Sequence, residues 1–242
     1  MPARQRSKDI LDAAGDVRNL LEYAISLGLY ELPKTRRPAG ERKTQELRPV
    51  MPMLAAGDKA KAMEKLRAGI GDCKLCKLHK GRTNLVFGVG DPNAKLMFIG
   101  EGPGRDEDMQ GEPFVGLAGQ LLTKIIEAMG YKRSDVYIAN IVKCRPPNNR
   151  NPEPDEVAAC VGFLMSQVKI IRPSVIVCLG GVALQSLFGP ELKITRARGK
   201  LLDWQGIPVM PTYHPAFLLR NANMKKPVWE DMQKVMELLK KT

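Results

Sequence analysis

No stretch of this sequence approaches the roughly 20 consecutive apolar residues of a membrane span. The opening segment, MPARQRSKDILDAAGD, is basic but has neither the apolar centre nor the small-residue cleavage site of a secretory signal. A cytoplasmic protein is therefore expected. Cysteines are few and odd in number, five, which argues against a disulfide framework and for metal ligation. Histidines are scarcer, two; His79 lies among lysines in a cysteine-bearing loop and reads as a surface residue, which leaves His214 for chemistry. No internal repeat is visible. Acidic side chains are in deficit, 26 against 38 basic ones, for a net charge of +12. Such a balance calls for an anionic partner, and nucleic acid is the usual one because neutralised phosphates release counterions. The alternative is a basic tail that only aids solubility. Lys143, Arg145, Arg150, Arg196, Arg198, Lys200 and Arg220 place much of the charge in the region that also carries the motifs.

A length of 242 residues allows one substantial α/β core with a smaller appendage. Residues 7–28 repeat apolar positions at helical spacing, and the stretch after them, LPKTRRPAGERKTQELRPVMPMLAAG, is rich in Pro, Gly and charge without a period. Residues 1–57 are read as an amphipathic helix plus a flexible basic linker, and 58–242 as the main domain. In the latter, DKAKAMEKLRAGIGD reads as a helix capped by Asp58. Strands are expected at 95–100, 135–142, 174–180 and 207–214, and helices at 117–130, 154–171, 181–189 and 228–241. Short apolar strands alternating with longer helices predict a mostly parallel sheet covered on both faces. Ligands of such sheets sit beyond the carboxyl ends of the strands, which here carry GEGPG, NIVKCRPP, LGG and TYHPA.

The strand LMFIG runs into GEGPGRDED, a glycine-rich turn of the kind that cradles phosphates, yet it carries Glu101, Asp106, Glu107 and Asp108. It also lacks the Lys-Ser/Thr of a P-loop. Cys73 and Cys76 form a C-x-x-C, Cys144 follows a strand and Cys160 lies in a helix. Four thiolates from two distant segments can hold zinc or an iron–sulfur cluster. One knuckle plus two single cysteines leans towards the cluster, against the reading of Cys144 and Cys160 as ordinary buried thiols. Cys178, inside SVIVCLG, reads as a core hydrophobe. Phe114 in GEPFVGLAG either staples the helix start or faces a ligand. Asn140 ends a strand where an amide has little packing value and needs its hydrogen bonds met. Carboxylates, an aromatic face, an amide and an imidazole at neighbouring strand ends suit the grip of a flat heterocycle and hydrolysis of a bond to it.

GEGPGRDED, GEPFVGLAGQLL, NIVKCRPPNNRNP and YHPAFLLR, with the four cysteines, resemble the family 4 uracil-DNA glycosylases over roughly residues 60–240. The resemblance implies a three-layer α/β/α sandwich with a central, mainly parallel sheet, and a structural [4Fe–4S] cluster on Cys73, Cys76, Cys144 and Cys160. It implies a monofunctional repair enzyme that flips uracil out of DNA, hydrolyses its N-glycosidic bond and leaves an abasic site. Phe114 would stack on the base and Asn140 read its N3–H and O4 edge. Gly102 would touch the base through its backbone, and Glu107 would stand near C5, where thymine has its methyl. Glu101 would position or activate the attacking water, and His214 would donate to O2 of the leaving base. Other families of these enzymes carry an Asp where this chain has Gly102. Leu218 or Leu219 would enter the gap left by the base, and Arg220 would meet a phosphate; the alternative for each leucine is packing on the core. CRPPNNRNPEP holds no histidine, so a covalent trap of the kind known in one relative is not expected.

The expected partner is uracil-containing DNA, single- or double-stranded, with the protein a monomer that joins the nucleoid when bound. A repair or replication protein is a further partner considered for the N-terminal segment. A non-catalytic iron–sulfur protein that binds nucleic acid is the rival function; it would keep the cysteines and the charge without needing Glu101, Asn140 and His214 together. An electron-transfer protein would likewise need no base pocket.

Overall fold

The computed structural model describes residues 56–241; the helix expected over 7–28, its linker and any partner role for them lie outside the described residues. Six strands form one sheet: β1 (Val89–Gly90), β2 (Leu96–Gly100), β3 (Tyr137–Asn140), β4 (Val175–Leu179), β5 (Leu202–Trp204) and β6 (Ile207–Thr212). Their order is β1-β3-β2-β4-β6-β5. The inner pairs β3–β2, β2–β4 and β4–β6 are parallel, and the short edge strands β1 and β5 are antiparallel. A mainly parallel sheet was legible from the apolar runs. The two- and three-residue edges carry too little pattern to be read.

Helices cover both faces, as the α/β/α expectation requires. Along β2, Met97 and Ile99 point into one core with Met63 and Ile70 of α1 (Ala56–Ile70). Leu96 and Phe98 point into the other. In the chain order that follows α1 come α2 (Arg105–Gln110), α3 (Leu117–Ala128), α4 (Pro154–Ile171), α5 (Gly181–Phe188), α6 (Ile194–Ala197), α7 (Pro215–Arg220) and α8 (Lys225–Leu239). Leu164, Val168 and Ile171 of α4 join the first core; Leu122 and Ile126 of α3 join the second with Met232 and Val235 of α8. Such burial on both faces explains why β2 and β4 are apolar throughout rather than alternating. Cys178 is fully buried in the first core, the place expected for it.

Helix α4 begins at Pro154, whose missing N–H costs nothing in a first turn. The Glu156 carboxylate accepts the Glu153 amide at 2.7 Å. Asp58 is not a cap: it lies inside the first turn of α1. None of the described helices is long and apolar enough to cross a membrane. The chain leaves β2, forms β3 on one side of it and then crosses to β4 on the other. That reversal opens a crevice at the carboxyl end of β2, the usual seat of a ligand in open parallel sheets.

Candidate active site

A cavity of about 590 Å³ fills this crevice, within the roughly 300–1,000 Å³ common for small-molecule sites. Glu101, Gly102 and Glu107 line it from the turn after β2, Asn140 from the end of β3, Phe114 from the loop before α3, and His214 and Arg220 from the segment after β6. Residues spread over more than a hundred positions are thus brought together by the sheet.

The four carboxylates of the acidic turn divide their tasks. Glu107 accepts from the Gly104, Val115 and Gly116 amides at 3.1, 3.0 and 3.0 Å. Asp108, 2% exposed, accepts from the Thr83 and Asn84 amides at 2.9 and 3.4 Å. Asp106 lies against Gly116, where a Cβ would stand 2.7 Å from its Oδ2. Glu101 alone of the four is half-buried on the cavity wall with no hydrogen bond or ion pair among the described residues, and burial raises its pKa above the ordinary carboxylate value. Glu101 thus joins a cavity position to partial burial and an uncommitted carboxylate, whereas Asp106, on the same wall, is exposed. Gly102 is held to a hydrogen side chain by space: a Cβ there would lie 2.7 Å from Cγ2 of Val142.

Phe114 is buried and has a left-handed backbone, φ 55°, a conformation that persists only where its surroundings impose it. Glu107 holds the two amides that follow it, and the Arg133 guanidinium donates to the carbonyl of Pro113 before it. Gly119 supplies the remaining wall, since a Cβ there would stand 1.9 Å from the Phe114 carbonyl carbon and oxygen. The ring so fixed lies 5.4 Å from the His214 ring, centre to centre. At Gly100 an added Cβ would lie 2.5 Å from both Phe114 Cζ and Asn140 Oδ1, so two pocket walls meet over one glycine.

Two hydrogen-bonding groups face into this space. Asn140 is 2% exposed, and its Oδ1 is a buried side-chain acceptor without a partner among the described residues. An unmet buried acceptor costs about 1–3 kcal/mol, a cost a ligand donor would relieve. His214 Nδ1 accepts the Ala216 amide at 3.1 Å. Burial, with Arg220 adding to the effect against Glu107, draws its pKa down to about 4. The imidazole is consequently neutral near pH 7, and with Nδ1 accepting, Nε2 carries the hydrogen and is free to donate.

The thiols of Cys73, Cys76, Cys144 and Cys160 gather beside the first core, none of the four in a disulfide. Burial lifts the Cys160 thiol to about 12, and Cys144 and Cys76 add to the rise; burial likewise raises Cys144, which Cys76 and Cys73 push further. The thiols thus sense one another. Cys160 Sγ accepts the Lys143 amide, and Cys144 Sγ accepts from Arg82 Nη1, both at 3.2 Å. Among the described residues, no three His, Cys, Asp or Glu side chains converge closely enough to hold a single metal ion. Four cysteine thiols are a donor set suited to zinc or to an iron–sulfur cluster.

A family model described as the uracil DNA glycosylase superfamily matches residues 87–233. The chain belongs to the uracil-DNA glycosylase superfamily. A type-4 uracil-DNA glycosylase of Thermotoga maritima is 48% identical over 183 residues, covering 74% of this chain and 95% of the relative. Another, from Archaeoglobus fulgidus, is 48% identical over 177 residues, covering 70% and 89%. A type-5 enzyme of Pyrobaculum aerophilum is 32% identical over 164 residues, covering 61% and 71%. The chain's place among the type-4 members agrees with the motifs from which it was read.

In this glycosylase-superfamily chain the two leucines of HPAFLLR part company. Leu218 is 1% exposed and lines an apolar cleft with Leu121, Ile125, Val228 and Trp229, so it packs on the core and cannot enter DNA. Leu219 is 49% exposed. Arg105 and Arg220 are exposed on the cavity wall with no hydrogen bond or ion pair among the described residues, whereas Arg150 is paired in two places with Glu156, at 2.7 and 2.8 Å. Sequence reasoning missed Gly100, Gly119, Arg133 and Lys143. A glycine inside the helical run LAGQLL is a signal of close packing; nothing in the sequence marks Arg133.

Gly119→Ala is expected to lower the unfolding free energy by about 1–3 kcal/mol by pressing on the Phe114 backbone. Gly162→Ala, in α4 with open space around its Cβ position, should instead be neutral or stabilising by about 0.5–1 kcal/mol. Parallel denaturant titrations of the two variants check the contrast.

Proposed function

We propose that this chain is a monofunctional uracil-DNA glycosylase that hydrolyses the bond between uracil and deoxyribose and leaves an abasic site. The observation that carries the proposal is the unpartnered Asn140 Oδ1 at the floor of a cavity walled by Phe114 and His214. An acceptor in that place takes the N3–H of uracil, while cytosine presents an acceptor at N3 and leaves both groups unmet. Phe114 stacks on the ring, and Gly102 lets the base approach the backbone. Glu107 acts on the base through the loop it holds, and its carboxylate stands on the wall proposed to face C5.

The chemistry follows from the two uncommitted groups. As the N-glycosidic bond stretches, positive charge grows on the sugar and negative charge on the departing uracil. Glu101, as a carboxylate, orients a water towards C1′ and takes its proton as the C–O bond forms. His214 donates from Nε2 to O2, where the charge on the uracil anion collects. Neutral imidazole suffices as that donor. Leu219 is proposed to fill the space vacated in the DNA, with Arg220 and Arg105 on phosphates.

Cys73, Cys76, Cys144 and Cys160 are proposed to hold a [4Fe–4S] cluster, whose chemistry here is structural: it ties the loop after α1 to the end of β3 and to α4. The non-catalytic rival is not favoured, because Glu101, Asn140 and His214 share one cavity and the nearby relatives are named as enzymes.

Cleavage of an oligonucleotide with one labelled uracil, followed by alkali, tests the proposal. Wild-type protein should expose abasic sites, and Glu101→Gln and Asn140→Ala should each be slower by about 10²–10⁴-fold. No release by wild-type protein would refute it. Because Glu101 must be ionised and burial raises its pKa, the rate should fall on the acid side at a pH above the ordinary carboxylate range. The Arg105, Asp106, Glu107, Arg150, His214 and Arg220 side chains share its cavity. His214, neutral down to about pH 4, adds no limb near neutrality, and Glu101→Gln should abolish the acid limb. For the cluster, Cys144→Ala should lose the brown absorbance and the iron that Cys178→Ala keeps.

A further inference from the structure

Lys143 is 1% exposed, one of the largest fully buried side chains of the described residues. Its Nζ donates to the Asn140 carbonyl at 2.9 Å and to Gln167 Oε1 at 2.7 Å. Gln167, itself fully buried on α4, donates onward to the Phe87 carbonyl at 2.9 Å and to the Tyr137 hydroxyl at 3.2 Å. The Lys143 amide donates to Cys160 Sγ at 3.2 Å, and its carbonyl accepts the Val86 amide at 2.8 Å. One residue therefore touches the end of β3, helix α4, the thiol pole and the segment before β1.

A buried ammonium is costly unless its hydrogen bonds are met, and an apolar chain of the same length would fill the space without that penalty. No carboxylate pairs with Lys143 among the described ion pairs. Cys160 Sγ, which accepts the Lys143 amide, would carry counter-charge as a ligand of the proposed cluster. What the ammonium accomplishes at its other end is specific. Asn140 Oδ1 makes no hydrogen bond among the described residues, so packing over Gly100 and the course of its own backbone are left to direct that acceptor. The Ile141 and Val142 amides are held by the Gly100 and Glu101 carbonyls at 2.9 and 3.1 Å. The Asn140 carbonyl is held by Lys143.

We infer that Lys143 is a positioning residue that aims the Asn140 amide at the uracil edge and anchors that aim to the cysteine pole. The inference rests on the uracil reading above. It makes the thiol pole a determinant of base recognition as well as a brace.

The test uses the full chain and duplex DNA carrying 2′-fluoro-2′-deoxyuridine, whose fluorine withholds electrons from the oxocarbenium-like transition state and so prevents cleavage. Affinity for this DNA relative to the undamaged duplex reports base reading apart from phosphate binding. Lys143→Met should lower that preference about tenfold, with affinity for undamaged DNA within about twofold of wild type and the brown absorbance intact. An unchanged preference, or an equal loss for both DNAs, would overturn the assignment. If Lys143→Met loses the absorbance, Gln167→Met removes the other anchor of the ammonium, and the same fall or its absence decides. A wild-type protein without preference for the uracil analogue would defeat the uracil reading first, and this inference with it.

Discussion

Phe114 and Asn140 meet over Gly100, where any side chain larger than hydrogen would stand 2.5 Å from both. That close approach gives the cavity a slot of defined width, because the ring proposed to cover a base and the amide proposed to read its edge are packed against one another. The rest of the site serves it. Arg133, Glu107 and Gly119 hold Phe114 in a backbone conformation it would otherwise avoid. The parallel pairing of β2 with β3 sets Gly100 beside Asn140.

Around the slot, charge is distributed by commitment rather than by count. A basic protein with an acidic turn at its pocket looks contradictory until the partners of each carboxylate are traced. Glu107 and Asp108 serve the backbone, and Glu101 is left uncommitted, as the proposed role towards a water and a sugar that becomes positive requires. In the same cavity a neutral imidazole with its Nε2 hydrogen free suits the proposed donor to a base that becomes negative. The cations stand further out, at the rim, where phosphates would pass.

Much of this was legible in the sequence. The inner strands announce themselves as uninterrupted apolar runs, because both faces of the sheet are buried, and the residues after them were gathered by the rule that ligands bind at strand carboxyl ends. What stayed hidden is local or long-range. Leu218 and Leu219 are adjacent and chemically identical, and only the packing of α7 on α3 and α8 separates the core residue from the exposed one. Arg133 acts through a carbonyl twenty residues away, and Lys143 through a helix. Glu101 and Glu107 were given separate roles from the sequence, but the backbone amides that Glu107 and Asp108 hold were not foreseen.

Base recognition as proposed depends on one acceptor, Asn140 Oδ1, meeting one donor, N3–H. Calorimetric titration of the protein with free uracil and with 3-methyluracil isolates that contact, since the methyl group removes the donor and occupies its place. Uracil should bind and 3-methyluracil should bind at least about tenfold more weakly. Equal affinity for the two would contradict the account.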